Sequence, residues 1–358
     1  MSKEHILFGK RKITTIKESS CFKNRNVLFL GDSGTGKYYS GIFPNIRQMN
    51  GSFVIFDTGG YVYRALSEEL ANAGYQIQVV DFSQQFESTA NYNPFCYVKN
   101  TQDIAPLINS IFNNRFCPDN KNSDTEMLEY EILTEAFYNV FNESEDQEKT
   151  LSDVFSVIQE NCNFVQANSS CFEESGKRIY AALSDIIHQL EFLELPSVQR
   201  MINTDTLSLD TFLLQEKIAL FCIIPANCHN YHPFIGMLCA QVCQILQRNR
   251  EKWCTMKSSP ITVIYDASSG LNNNLSLANL ILTSQGTNIG TWVTARLFRD
   301  LNRSFSNYWK SVLDSCNSII YLGSCAKENQ DVMREYQSEQ SSKKVYDLSK
   351  KCINYERP

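Results

Sequence analysis

Short, uninterrupted apolar runs alternate with stretches of helical spacing in the first part of this chain. Asn26-Val-Leu-Phe-Leu30, Ser52-Phe-Val-Ile-Phe-Asp57 and Ile77-Gln-Val-Val-Asp81 are compact enough to be strands buried on both faces of a parallel sheet. Between them, residues 37–48 read as a helix bent or interrupted by Pro44. Tyr61 to Ala73 reads as a helix closed by Gly74. Residues 1–25 are polar and patchily basic (Lys10, Arg11, Lys12) and predict a lead-in with at most one edge strand. Strand, helix, strand, helix, strand at this spacing predicts a doubly wound α/β domain.

The pattern changes after the turn-rich link Asn91-Tyr-Asn-Pro94-Phe95. From Asp103 to about Arg200 strand-like alternation stops, and apolar residues recur at helical spacing in 126–141, 151–159 and 179–195. Buried-strand runs return at Lys217 to Pro225, Pro260 to Asp266, Gly290 to Ala295 and Ser318 to Leu322. Helices are predicted at Phe234 to Gln247 and Leu275 to Ser284, with a charged helix and tail after Lys327. The expected organisation is an α/β domain of residues 1–102 and 206–358, interrupted by an all-α domain of residues 103–205.

Composition narrows the classes. Hydrophobic residues are 43% and charged residues 20% of 358, enough apolar surface for a folded core. The formal net charge of −6 argues against a protein that coats nucleic acid, so any DNA contact must be local. The 13 cysteines are odd in number and scattered, with no C-x-x-C and no histidine cluster. They read as reduced thiols of a cytoplasmic protein, not as a disulfide framework or a metal site. No signal peptide is recognised, and no apolar run reaches the roughly 18 residues of a membrane helix.

The candidate chemistry lies between the first core strand and the helix after it. Gly31-Asp32-Ser33-Gly34-Thr35-Gly36-Lys37 fits G-x-x-x-x-G-K, the phosphate-binding P-loop. Its amides cradle phosphate and its lysine neutralises charge. The next position should carry the Ser or Thr hydroxyl that meets Mg²⁺, and it is Tyr38. A tyrosine is too long to replace Thr as a metal ligand without moving the helix. Asp266 ends an apolar strand, as a Mg²⁺-holding acid should, but Ala267 follows where a water-polarising carboxylate belongs. Asp57 is a second strand-end acid. An ordinary strand end or helix cap is the alternative for Asp266 and suits Asp57 equally well. Arg296, at the end of the next strand, stands where a γ-phosphate sensor would be. Arg296, Arg299 and Arg303, with Phe298 and Phe305, form a small basic run that suits phosphate, DNA or a solvated face.

Taken together, these segments resemble the TraG/TraD-like coupling proteins of type IV secretion, the conjugative DNA-transfer ATPases. The resemblance runs through residues 24–37, Phe43-Pro-Asn45, 51–57, Gly74-Tyr75, 91–95, 217–225, 260–266 and 318–323, gapped but collinear. It implies a RecA-like P-loop fold with an inserted all-α domain, ATP as cofactor, a hexamer, DNA as cargo, and type IV secretion components as partners. It also implies a place at the inner face of the cell membrane, although this chain shows no N-terminal membrane helices. Four positions depart from the family pattern. Tyr38 replaces Ser/Thr, Asp57-Thr-Gly-Gly-Tyr61 replaces Asp-Pro-Lys-Gly-Glu, Asp266-Ala267 replaces Asp-Glu, and Arg296 replaces Gln. Loss of a Mg²⁺ ligand together with the water-polarising carboxylate is expected to cost several orders of magnitude in hydrolysis. Three readings stay open: a degenerate homologue that binds nucleotide or scaffolds, with Mg²⁺ in doubt; an active DNA-translocating ATPase using replacement acids such as Asp32 or Asp57; and an interaction module of a mobile element with no nucleotide role.

Overall fold

The structure is a computed structural model. It describes residues 5–9, 11–15, 24–83, 90–113, 123–142, 148–168, 174–225, 231–254, 259–339 and 344–349. The chain begins with a hairpin of β1 (His5–Phe8) and β2 (Arg11–Thr15). It continues with β3 (Val27–Leu30), a π-helical turn (Lys37–Ile42) running into α1 (Phe43–Ile46), β4 (Ser52–Thr58), α2 (Tyr61–Asn72) and β5 (Gln76–Asp81). Helices follow: α3 (Ile104–Asn113), α4 (Ser123–Asn142), α5 (Leu151–Ala167), α6 (Glu174–Leu190), α7 (Pro196–Ile202) and α8 (Leu209–Phe212). Then come β6 (Ile218–Ile224), α9 (His232–Arg248), α10 (Arg250–Cys254), β7 (Ile261–Asp266), α11 (Leu275–Thr283) and β8 (Ile289–Ala295). The chain closes with α12 (Phe298–Phe305), α13 (Trp309–Ser315), β9 (Ser318–Tyr321), α14 (Lys327–Glu339) and β10 (Lys344–Asp347).

One compact unit comprises Met1–Ser88, Phe212–Asn227 and Val242–Pro358; the other comprises Thr89–Thr211 and Cys228–Gln241. The first is built on an eight-stranded sheet in the order β10-β9-β3-β8-β7-β4-β6-β5. Every neighbouring pair is parallel. The apolar runs predict such a parallel α/β sheet, and the helical unit inserted in the chain matches the RecA-like layout that the family resemblance implies. Strands β3, β6, β7 and β8 are buried at every position, so their side chains do not alternate between apolar and polar.

The second unit is wider than residues 103–205. It also takes in the 91–95 link, where Tyr92 donates its hydroxyl to Gln241 and Gln241 donates to the Pro94 carbonyl. Its helices α4, α5 and α6 bury Leu133, Phe137 and Val140, Val154, Phe155 and Ile158, and Ala182, Leu183 and Ile186. Helix α5 starts at Thr150, where Thr150 and Asp153 cap each other's backbone amides.

Three elements differ from the sequence expectation. Residues 1–25 hold a hairpin, not a lead-in with one strand. Its β1 buries Ile6 and Phe8 in the core that also contains Phe29, Ile42, Phe43 and Ile46. The tail contains a parallel strand, β10, whose polar sequence (Lys344-Val-Tyr-Asp347) takes its register from β9 and not from any apolar run of its own. Residues 37–48 are not one regular helix. Pro44 has no N–H to give to Ser40, four residues earlier. The Ser40 carbonyl instead accepts from Gly9 of the hairpin at 2.6 Å, and the Phe43 amide reaches back five residues to the Tyr38 carbonyl. The proline thus widens the first turns into a π-helix and opens a carbonyl to which the hairpin attaches. Asn45 completes the attachment by pairing both ways with the Leu7 backbone at 2.8 and 2.9 Å.

Asn26 fixes the strand that feeds the glycine loop. It is 1% exposed. Its amide donates to the Ile281 carbonyl and the Ser284 hydroxyl, each at 3.0 Å, and its Oδ1 accepts from the Thr291 amide at 2.9 Å. Asn26→Ala leaves the buried Thr291 N–H without its acceptor and breaks the tie to α11. It is expected to lower the unfolding free energy by about 2–4 kcal/mol, read as a lower urea midpoint with an unchanged m-value. A midpoint within error of the parent would show that water replaces this side chain.

Candidate functional site

In a parallel sheet all carboxyl ends lie along one edge, where the candidate residues meet. The pairing sets Thr294 of β8 beside Asp266 of β7 and beside Phe29 of β3. Phe56 pairs with Tyr265, so Asp57 follows at the same level on β4. Asp57, Asp266, Thr294 and the chain entering Gly31 therefore end side by side.

The loop from Gly31 to Lys37 is held from below and behind. The Gly31 amide donates to the Ala295 carbonyl at 3.1 Å and the Asp32 amide to Gly323 at 3.2 Å. A Cβ at Gly31 would come within 2.7 Å of the Leu322 Cβ, so that crossing requires glycine. Gly34 and Gly36 have φ of 82° and 85°, the left-handed region that glycine enters without strain. Asp32 does not face the cradle. Its Oδ1 accepts from the Ser324 hydroxyl at 2.8 Å and its Oδ2 from the Cys325 amide at 2.6 Å. Its pKa is lowered, because these hydrogen bonds, with Lys37 nearby, outweigh the opposing effect of desolvation. Among the described residues, the amides of Ser33, Gly34, Gly36, Lys37 and Tyr38 have no intramolecular acceptor, an arrangement suited to an anion.

Lys37 is buried. It folds its ammonium back onto the loop, donating to the Gly31 carbonyl at 2.5 Å and the Asp32 carbonyl at 3.0 Å. Desolvation lowers its pKa most. Arg296 lowers it further, while Asp266, Asp32 and Asp300 oppose the shift. Arg296 directly follows Ala295, whose carbonyl takes the Gly31 amide, so it adjoins the loop. Arg296 is exposed and reaches Asp300, its Nε 3.5 Å from Oδ2; Asp300 also accepts from the backbone amides of Arg296 and Leu297. Arg296 lies two residues beyond the position in register with Asp266; that position is Thr294, which sequence reading missed. The basic run disperses. Phe298 and Phe305 are buried on α12, while Arg299 and Arg303 face outward.

Tyr38 sits at the centre. Its ring is half-buried, and its hydroxyl donates to Asp266 Oδ2 at 3.0 Å. Burial raises the phenol pKa well above 10, and Asp266 and Asp57 raise it further, against the Thr294 hydroxyl beside it. The phenol is therefore a neutral donor at physiological pH. The other oxygen of Asp266 accepts from the Ser268 amide at 2.9 Å and its hydroxyl at 2.7 Å. Asp266 thus caps the turn Ala267–Ser269 and holds Tyr38. Ala267, where a carboxylate was sought, is buried and apolar.

The arrangement suits phosphate, which the loop amides, Lys37 and Arg296 can receive. It does not suit Mg²⁺. A Ser or Thr would leave room for a hydrated ion, but the Tyr38 ring spans the gap and its proton engages the acid.

Asp57 is buried, and its Oδ2 accepts from the Tyr63 amide at 2.8 Å at the start of α2. Desolvation raises its pKa to about 6, against the amides of Tyr63, Val62 and Tyr61 and the Arg64 charge. Because this pKa is above the unfolded value of 3.8, the folded state holds the proton more tightly and stability falls as pH rises from about 4 to 6. The full cost, roughly 3 kcal/mol, is present above that window. Asp57→Asn keeps an acceptor for Tyr63 and removes the charge. It is expected to be more stable than the parent at pH 8, with the gain vanishing near pH 4, in paired chemical denaturation curves. An equal gain at both pH values would exclude the buried charge as the cause.

Residues 2–115 match the family model described as type IV secretory system conjugative DNA transfer. No curated protein matches the chain. Among solved structures, the bacterial conjugative coupling protein TrwBΔN70 in its unbound monoclinic form aligns with a TM-score of 0.67 at 13% identity. The alignment covers 95% of this chain and 76% of that one. The plasmid coupling protein TrwB in complex with ADP and Mg²⁺ aligns at 0.63 and 14%, over 86% and 73%. VirB4 of Thermoanaerobacter pseudethanolicus aligns at 0.61 and 13%, over 100% and 93%. At these identities the structural likeness establishes the fold. Over its N-terminal third the chain is similar to the conjugative DNA-transfer proteins of type IV secretion.

Proposed function

We propose that this protein is a degenerate coupling-protein homologue. It binds ATP or ADP at residues 31–38, turns ATP over weakly or not at all, and acts as an accessory or regulatory subunit of a conjugation apparatus. The observation that carries this reading is the Tyr38–Asp266 hydrogen bond, flanked by an intact glycine loop on one side and Ala267 on the other. A loop with open amides and a buried lysine supports binding. An acid committed to a phenol, with no carboxylate after it, argues against hydrolysis.

The replacement-acid alternative is weaker on geometry. Both oxygens of Asp32 are engaged by the 324–325 backbone and side chain, and Asp57 is buried at the start of α2. TrwB is solved in complex with ADP and Mg²⁺; ATP or ADP is the corresponding ligand here. No helix among the described residues is long and apolar enough to cross a membrane. In this reading the protein is cytoplasmic or peripheral at the inner face of the membrane, and joins a hexameric ring or other secretion components that handle DNA. The helical unit, Thr89–Thr211 with Cys228–Gln241, is the part that would meet cargo.

Titration with a fluorescent ATP analogue is expected to show saturable binding that Lys37→Ala removes, with steady-state phosphate release at background. Tyr38→Thr combined with Ala267→Glu is expected to raise basal hydrolysis on the order of tenfold or more. Turnover by the parent chain that Lys37→Ala abolishes would establish an active ATPase instead, and absence of any nucleotide binding would leave an interaction module.

A further inference from the structure

The TrwB complex with ADP and Mg²⁺ shares this fold, yet the residues present here do not fit the metal. We infer that the site takes its nucleotide without Mg²⁺, the Tyr38–Asp266 pair standing where the ion would be and Arg296 serving with Lys37 as the second cation for the phosphates. This rests on the nucleotide-binding reading above.

The argument is one of space and of charge. In P-loop sites Mg²⁺ keeps several waters and near-octahedral ligands, and the strand-end acid and helix-start hydroxyl hold that hydrated ion between them. Here the same two positions touch directly at 3.0 Å. The donor is a neutral phenol on a rigid ring, and the ring also packs against Phe43, 6.3 Å between centroids. Withdrawing it means rotating the ring out of a partly apolar contact and leaving Asp266 without that donor. The π-helical turn set by Pro44 starts at Lys37, so the backbone carrying Tyr38 differs from the α-helical start that presents a Ser or Thr.

The charges fit the same conclusion. A nucleotide's terminal phosphates need roughly the charge that Mg²⁺ supplies. Arg296 is half-exposed just past the end of β8, one residue after Ala295, whose carbonyl takes the Gly31 amide of the loop. Its one partner among the described residues is Asp300 at 3.5 Å, an exchangeable contact that a phosphate competes for with better geometry. Asp300 retains the backbone amides of Arg296 and Leu297 when the guanidinium turns away. The loop amides and Lys37 supply the remaining contacts.

The test is isothermal titration of the full chain with ADP in EDTA and again in excess Mg²⁺. Dissociation constants within about threefold of each other are expected for the parent. Tyr38→Thr should become Mg²⁺-dependent, binding tightening about tenfold or more on adding the ion, and Arg296→Ala should lose about tenfold in EDTA at an unchanged melting temperature. A parent chain that Mg²⁺ tightens tenfold overturns this inference and leaves the nucleotide-binding reading standing. No heat of binding in either condition, confirmed with a fluorescent ADP analogue, overturns both. The parent comparison decides the matter even if the Tyr38 variant does not fold.

Discussion

Eight parallel strands delivering their carboxyl ends to one edge are the constraint on which everything else in this molecule depends. That geometry brings Gly31, Asp57, Asp266, Thr294 and Leu322 together from separations of up to about 290 residues. It also makes the edge polar by necessity, since strand ends expose backbone groups that loops must satisfy. Asp32 meets the loop after β9, Asp57 meets the start of α2, and Asp266 caps its own turn. Three acids at the edge are thereby engaged in structure. The hydroxyl that reaches Asp266 from the glycine-loop side comes from a tyrosine.

Pro44 connects the edge to the rest of the unit. Its missing N–H opens the Ser40 carbonyl to the hairpin and widens the turn that carries Lys37 and Tyr38. The same residue therefore determines how the N-terminal hairpin docks and how the loop's lysine and tyrosine are presented. Local chemistry of one imino acid thus couples core packing (Ile6 and Phe8 under α1) to site geometry.

A parallel sheet needs strands buried on both faces, and such strands stand out as apolar runs. That is why β3 to β9 were legible from sequence, each to within a residue or two. The glycine loop was legible because G-x-x-x-x-G-K places glycines where left-handed backbone and close crossings occur, and Gly31, Gly34 and Gly36 bear this out in φ and spacing. What escaped reading had no pattern of its own. Strand β10 is polar and borrows its pairing from β9. Helices α12 and α13 lie where a basic run drew attention to charge and not to the buried face of Phe298, Leu301 and Phe305. Thr294 is invisible as a site residue until the register sets it beside Asp266.

The sequence by itself determined the α/β class, the position of the helical insertion, the P-loop, and the loss of its Ser/Thr and of the second carboxylate. Those are properties of single residues or of periodicity, and they need no partner to be read. Only the tertiary structure decided what Tyr38 does with its hydroxyl, which acids are already occupied, and that Arg296 adjoins the glycine loop. Those outcomes depend on distances between strands and loops that adjoin only after the sheet has formed, and no local pattern encodes them.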